Sequence, residues 1–154
     1  MGLFDRLFSQ TPSAKPTVPP VQIYNEDEAF IGILFCCLYA DGEASEEEID
    51  AFSRYLVTRP AFRFLPIVDI YRKFLTYYMQ VKDIASIVAL AMPMISENRK
   101  PQLFATAVDF VLADGVVDAA EQKLLEDLQA GLQVDETLAR QIIEVLLIKN
   151  STVL

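Results

Sequence analysis

Hydrophobic positions from residue 25 onward recur every three to four residues, which is the spacing of one face of an α-helix. Alternating runs typical of strands are few, and the sequence contains no Asn-Gly hairpin signal. Capping residues, glycines and prolines divide the pattern into seven segments. The sequence therefore predicts an all-α domain without a sheet, with helices over about 25–40, 45–57, 66–81, 83–96 and 100–113, one beginning at 118 and one over 135–149.

The proline-rich stretch near the N-terminus divides the chain. Four of the eight prolines fall between residues 10 and 22, which disfavours helix and predicts an extended tether. We therefore expect a short N-terminal segment over 1–9, a tether over 10–24 and a helical domain over 25–150. The N-terminal segment is either a frayed or locally packed terminus, or a docking peptide for a membrane surface or a partner groove. Its apolar residues at helical spacing are Leu3, Phe4, Leu7 and Phe8.

Composition excludes several classes of function. The chain has no histidine, so Ser-His-Asp or Cys-His catalysis and His-ligated metal sites are excluded. Asp and Glu outnumber Lys and Arg by 22 to 13, and this net charge of -9 disfavours nucleic acid as a partner. We find no general base in a recognisable constellation and expect no enzymatic activity.

The apolar run from Ala29 to Ala40 is too short for a membrane span and fits a helix at the centre of a bundle. It contains the two cysteines, Cys36 and Cys37, whose adjacency suits neither a redox pair nor a metal clip. We expect buried thiols in a reducing compartment. The first eight residues lack the features of a secretory signal, so we expect a cytoplasmic protein.

A short motif occurs twice, 73 residues apart, each time between an apolar and an acidic segment. The pattern is A-D-G-x5-E, and its members are Ala40, Asp41, Gly42 and Glu48, then Ala113, Asp114, Gly115 and Glu121. This repeat predicts an internal duplication of helical hairpins related by a pseudo-twofold axis. Helix capping explains the glycine and the glutamate of each copy.

Capping does not explain the aspartate that precedes each glycine, because an acid at a helix C-terminus faces the unfavourable end of the dipole. A compensating cation or hydrogen bond is expected. The cation interpretation pairs Asp41 with Glu48 and separately Asp114 with Glu121, and such oxygen ligands suit calcium, magnesium or manganese. The spacing does not match an EF-hand loop. Capping alone remains the alternative.

The repeated motif in an acidic, helical chain of this size resembles the TerB family of tellurite-resistance-associated domains, over about residues 25–148. The resemblance implies a seven-helix TerB-like bundle without an organic cofactor, linked to a stress response through a protein or membrane partner. It also implies that the acidic corner residues chelate a divalent metal, which here would be Asp41, Glu48, Asp114 and Glu121. The second copy contains fewer acidic residues, because it lacks the additional acids of the first.

Residues 52–82 contain six basic residues against Asp69 alone, together with eight of the 16 aromatic residues. Such a segment is typical of an anion-binding or partner-binding face, or of core aromatics with a solvated basic rim. The candidate partner-binding residues are Arg54, Arg59, Arg63, Arg72 and Lys73. They support an alternative function, a metal-independent helical scaffold that docks a partner or the inner membrane face. Asp109, within an apolar helix, is expected to form a structural ion pair.

Overall fold

The computed structural model describes residues 18–113 and 115–151. Within them the chain forms seven α-helices and no strand. The helices are α1 Glu26–Leu38, α2 Glu46–Val57, α3 Ile67–Val81, α4 Ile84–Ala91, α5 Lys100–Leu112, α6 Ala119–Gly131 and α7 Glu136–Lys149, with short 3-10 helices at Pro60–Phe62, Met92–Met94 and Glu97–Arg99. The all-α prediction is confirmed. The N-terminal segment 1–9 and tether residues 10–17 lie outside the described residues.

Helix α1 is the central element of the bundle. Every residue from Ala29 to Tyr39 is buried, and α3, α4 and α5 pack around the helix. A helix that is apolar on all sides needs neighbours on all sides, so this burial follows from its sequence. Gly32 lets the Phe74 ring of α3 approach closely, because a Cβ atom built on Gly32 would lie 2.6 Å from Phe74 Cζ. The prediction of a central helix is confirmed.

The predicted end of the fourth helix is wrong. We expected this helix to reach Ser96, but α4 ends at Ala91 and the chain continues as a 3-10 turn over Met92–Met94. Pro93 explains the difference, since it cannot donate a helical hydrogen bond and its ring clashes with the preceding turn. Ser96 instead donates from its amide and its hydroxyl to Glu26 Oε1, at 2.8 and 2.6 Å.

Asp109 of α5 joins three parts of the chain and is only 6% exposed. Its Oδ1 accepts hydrogen bonds from Lys149 Nζ and Asn150 Nδ2, both at 2.9 Å. Its Oδ2 accepts from the Tyr55 hydroxyl at 3.0 Å and from Arg59 at 3.3 Å. Burial alone would raise the pKa of Asp109, but the bonds from Asn150, Lys149 and Tyr55 outweigh it and lower that pKa. The predicted structural ion pair is confirmed.

Two further predictions concern the apolar part of the chain. Cys36 and Cys37 are both buried and unbridged, which confirms the expectation of buried thiols. Among the helices of residues 18–113 and 115–151, none has both the length and the hydropathy that crossing a bilayer requires.

Candidate functional site

The first motif copy forms the corner between α1 and α2. Gly42 has φ of +99°, a left-handed conformation that favours glycine, and it turns the chain out of α1. Ser45 caps α2, since its hydroxyl oxygen accepts from the Glu48 amide at 3.1 Å and its hydroxyl donates to Glu48 Oε1 at 3.1 Å. The Glu43 amide donates to Asp41 Oδ1 at 3.3 Å. This hydrogen bond offsets part of the unfavourable interaction between the Asp41 charge and the dipole of α1.

The second copy forms the corner between α5 and α6. Gly115 has φ of +77°. Asp118 and Glu121 form a reciprocal capping box, in which Asp118 Oδ1 accepts from the Glu121 amide at 2.7 Å and Glu121 Oε1 accepts from the Asp118 amide at 3.3 Å. Asp114, the fourth predicted metal ligand, lies outside the described residues. The two corners share a left-handed glycine and a capped acidic helix, while the pseudo-twofold duplication stays a prediction.

Acidic residues from both corners line a single pocket of about 80 Å³, which we call the acidic pocket. The sequence suggested two separate acidic pairs. Because α1 packs against α5, however, Asp41, Glu48 and Glu121 all face the same space. Ala113, the neighbour of Asp114 in the sequence, also lines it. The described residues that line it are Cys37, Leu38, Asp41, Glu48, Ala51, Tyr55, Phe110, Ala113 and Glu121.

The acidic pocket disfavours negative charge on its neighbours. Burial, together with the smaller effect of the Glu121 charge, raises the pKa of Cys37 to about 12. Burial also raises the pKa of Tyr39, together with the hydrogen bond and charge of Tyr71 and the charge of Glu48. Both groups are therefore neutral at pH 7. The negative charges of Glu121 and Glu48, which add to the effect of burial, favour a cation over an anion in the pocket.

The described acids do not form a complete metal site by themselves. Within residues 18–113 and 115–151, no group of three or more Cys, Asp or Glu side chains is arranged to hold a metal ion. The neutral thiol of Cys37 is a poor ligand, because metals bind the thiolate. Sequence reasoning missed Cys37 and Tyr55 as lining residues. Their spacing could have indicated this position, because residues four or seven apart lie on the same face of a helix. Cys37 precedes Asp41 by four residues, and Tyr55 follows Glu48 by seven.

The predicted partner-binding residues have different environments. Arg54, Arg63 and Arg72 are exposed, whereas Arg59 pairs with Asp109 and Lys73 pairs with Glu28, the latter at 2.6 Å. Two of the five basic side chains are therefore already engaged in ion pairs within the domain.

The aromatic residues of the same segment divide between core and surface. Phe52, Phe62, Phe74 and Tyr78 are buried. Phe64 is 91% exposed, and the Arg63 guanidinium carbon lies 5.8 Å from the centroid of its ring. The surface around Arg63 and Phe64 is thus the part of this segment that combines an exposed aromatic ring with an exposed basic side chain.

Comparison with known protein families identifies a match over most of the helical domain. A family model described as tellurite resistance protein TerB matches residues 27–143. No curated protein and no solved structure matches the chain. The matched region spans α1 through most of α7 and includes both A-D-G-x5-E corners. The chain therefore belongs to the TerB family.

Proposed function

We propose that this chain is a non-enzymatic TerB module that binds one divalent cation in the acidic pocket. The proposed ligands are Asp41, Glu48 and Glu121, joined by Asp114 from the second corner. The single observation that carries the proposal is that acids from both motif copies line one pocket, although they are about 70 residues apart in the sequence. The proposal therefore has one shared site rather than the two separate sites that the sequence suggested.

The chemistry of the pocket fits a hard cation. Its candidate ligands are carboxylate oxygens, which suit calcium, magnesium or manganese. A single water molecule needs about 10–15 Å³ of such space, so about 80 Å³ has room for an ion with several waters. Water would fill the coordination positions that the protein leaves open, as is usual for magnesium. No organic cofactor is part of the proposal.

A cation held in this way would connect two hairpins. Asp41 and Glu48 belong to the α1–α2 corner, and Glu121 belongs to the α5–α6 corner. Binding would neutralise part of the acidic charge and favour the arrangement in which the corners are close. A protein or membrane partner in a tellurite-resistance-type stress response would then recognise the bound state. Cytoplasmic location is part of this proposal.

Calorimetric titration of the chelator-treated protein with calcium, magnesium and manganese tests the proposal. We expect binding of at least one of these cations, with one ion per chain, and a melting temperature that rises with its concentration. Glu48→Gln and Asp114→Asn should each weaken that binding at least tenfold. Both substitutions keep a side chain that can still serve at a helix corner.

Asp50→Asn is the matched control, because Asp50 is an exposed acid on the same helix as Glu48 and does not line the pocket. It should leave the affinity unchanged. Absence of binding heat and of any melting shift with all three cations would refute the proposal. Two ions per chain would support two separate corner sites instead.

The exposed pair Arg63 and Phe64 favours a second candidate function, a metal-independent scaffold that binds an acidic protein or membrane partner. The observation behind it is a nearly fully exposed phenylalanine beside a guanidinium group. Cosedimentation with vesicles of 30 mol% phosphatidylserine in chelator, comparing the unmodified chain with Arg63→Ala/Phe64→Ala, tests the membrane form. Equal sedimentation of the two proteins would contradict it.

A further inference from the structure

Helix α7 presents an apolar face that its neighbours in the described residues do not cover. The helix packs chiefly along α5, using Ile142 and Leu146. Four consecutive apolar residues precede Lys149 at its C-terminal end, and such a run points to all sides of a helix. Val145 is 62% exposed and Ile148 is 76% exposed. A surface helix of a soluble bundle is usually polar on this side, so the face is a candidate docking surface.

A groove between α5 and α7 opens onto this face. It has a volume of about 290 Å³ and is lined by Ala105, Gln141, Ile142, Val145 and Leu146. Among the described residues of this lining, Gln141 is polar and the other four are apolar. The short side chain of Ala105 leaves the space between the helices open. An engineered cavity of about 150 Å³ accommodates benzene, so this groove has room for about two phenyl rings.

We propose that residues 1–8 of the same chain bind in this groove as a short amphipathic helix. Phe4 and Phe8 are four residues apart and share one helical face, as do Leu3 and Leu7. This is the anchor spacing with which amphipathic helices occupy apolar grooves. Two turns of helix are marginal alone, so the helix would form upon binding. The two phenyl rings match the capacity of the groove.

The tether is long enough for this contact. Residues 9–17 span up to about 30 Å when extended, which is most of the width of about 36 Å of a domain of this size, so the reach suffices if the groove lies on the side where the chain enters the bundle. The chain also enters the bundle near the beginning of α5. Glu26 accepts from Ser96, and Arg99 lies 2.9 Å from Asp27 Oδ1, immediately before α5. Ala105 lies only five residues into α5, about 8 Å along its axis.

Charge does not oppose this occupant. Residues 1–8 contain one acid and one base, Asp5 and Arg6, and the described residues of the groove lining are uncharged. No like charge is therefore brought together when the segment lies in the groove. The tether also gives the segment an effective concentration in the millimolar range, which an untethered peptide lacks.

A tryptophan reporter tests the proposal in the full-length chain. The protein has no tryptophan, so Phe4→Trp introduces a fluorophore that reports on this segment alone. We expect its emission to be blue-shifted relative to a synthetic peptide of residues 1–17 with the same substitution. The shift should not depend on protein concentration. Adding Val145→Glu, or filling the groove with Ala105→Phe, should return the emission to that of the peptide.

Val68→Glu is the matched control, because Val68 is a similarly exposed valine on α3, outside the groove. It should leave the blue shift unchanged, and circular dichroism checks that all variants remain helical. Emission equal to that of the free peptide would overturn the proposal, as would a shift that survives both groove variants. A shift that appears only with rising concentration and doubled mass would assign the groove to a second copy. A blue shift that appears only when vesicles are added would mean that residues 1–8 bind a lipid surface instead.

Discussion

Replacing Asp109 with alanine removes an acceptor that four donors share, and the cost follows from how exposed each donor is. The Tyr55 hydroxyl and the Asn150 amide are partly buried, and a hydrogen bond to a charged group contributes about 1.5–3 kcal/mol. Asn150 keeps a second bond to the Leu146 carbonyl at 2.9 Å. Among the described residues, Tyr55 keeps a long contact of 3.5 Å to the Thr106 carbonyl and its contact with Arg59.

The two cationic donors contribute less. The Arg59 side chain is 36% exposed and the Lys149 side chain is 60% exposed, so both regain water when the carboxylate is removed. Ion pairs of this kind contribute about 0–1 kcal/mol each. Removal of Asp109 also relieves the cost of burying its charge. We therefore expect Asp109→Ala to lower the free energy of unfolding by about 2–4 kcal/mol.

Urea unfolding at pH 7, followed by far-UV circular dichroism, measures this free energy. About 2–4 kcal/mol corresponds to a fall in melting temperature of about 4–16 °C for a chain of this length. Asp127→Ala, which removes an exposed acid from α6, should change stability by less than about 0.5 kcal/mol. An equally small effect of Asp109→Ala would refute the reasoning, because the four bonds would then contribute nothing net.

The same carboxylate predicts a pH dependence whose sign is fixed by its lowered pKa. The stabilising contribution of Asp109 is complete above its unfolded pKa of about 3.9 and is lost as the pH falls through the lower folded pKa. The stability difference between the unmodified chain and Asp109→Asn should therefore stay constant from about pH 7 to 5 and shrink below about pH 4. A difference that grows on acidification would contradict the prediction.

Three further predictions concern packing, capping and thiol chemistry. Gly32→Ala should lower the free energy of unfolding by about 1–3 kcal/mol, because the new methyl group meets the Phe74 ring, and Phe74→Leu should recover part of the loss in thermal melts. Asp118→Ala should lower it by about 1 kcal/mol through loss of the α6 cap, measured by urea unfolding. Cys36 and Cys37, whose pKa values are raised by burial, should react with Ellman's reagent only in denaturant; rapid labelling of the native protein would disprove this.

Local signals predicted most of the helical pattern because caps and breakers act over a few residues. Asn25 accepts from the Glu28 amide at 2.9 Å, and Gly42 turns the chain out of α1, as the sequence indicated. The end of α4 was misplaced because the sequence predicted a helix to residue 96, whereas the structure ends it before Pro93. Whether a proline bends a helix or ends it depends on whether neighbouring groups replace the backbone hydrogen bonds that the proline removes. The local sequence does not contain that information.

The site was predicted less completely, since its assembly depends on contacts between distant segments. Asp41, Glu48 and Glu121 were identified from the motif, but their convergence on one pocket follows from the packing of α1 against α5. The ion pair of Asp109 was expected from its position in an apolar helix. Its partners, Arg59 and Lys149, are about 50 and 40 residues away and have no local signal. Helix periodicity encodes which face is buried, but not which helix covers it.

The burial of α1 on all sides has a consequence for protein synthesis. Its covering helices are α3, α4 and α5, and the last of these ends about 74 residues after α1 does. At about 5–20 residues per second, a ribosome needs about 4–15 s to add them. During that interval the nascent chain carries an unprotected apolar helix. Abundant nascent-chain chaperones, which cover exposed apolar segments, should therefore raise the yield of folded protein.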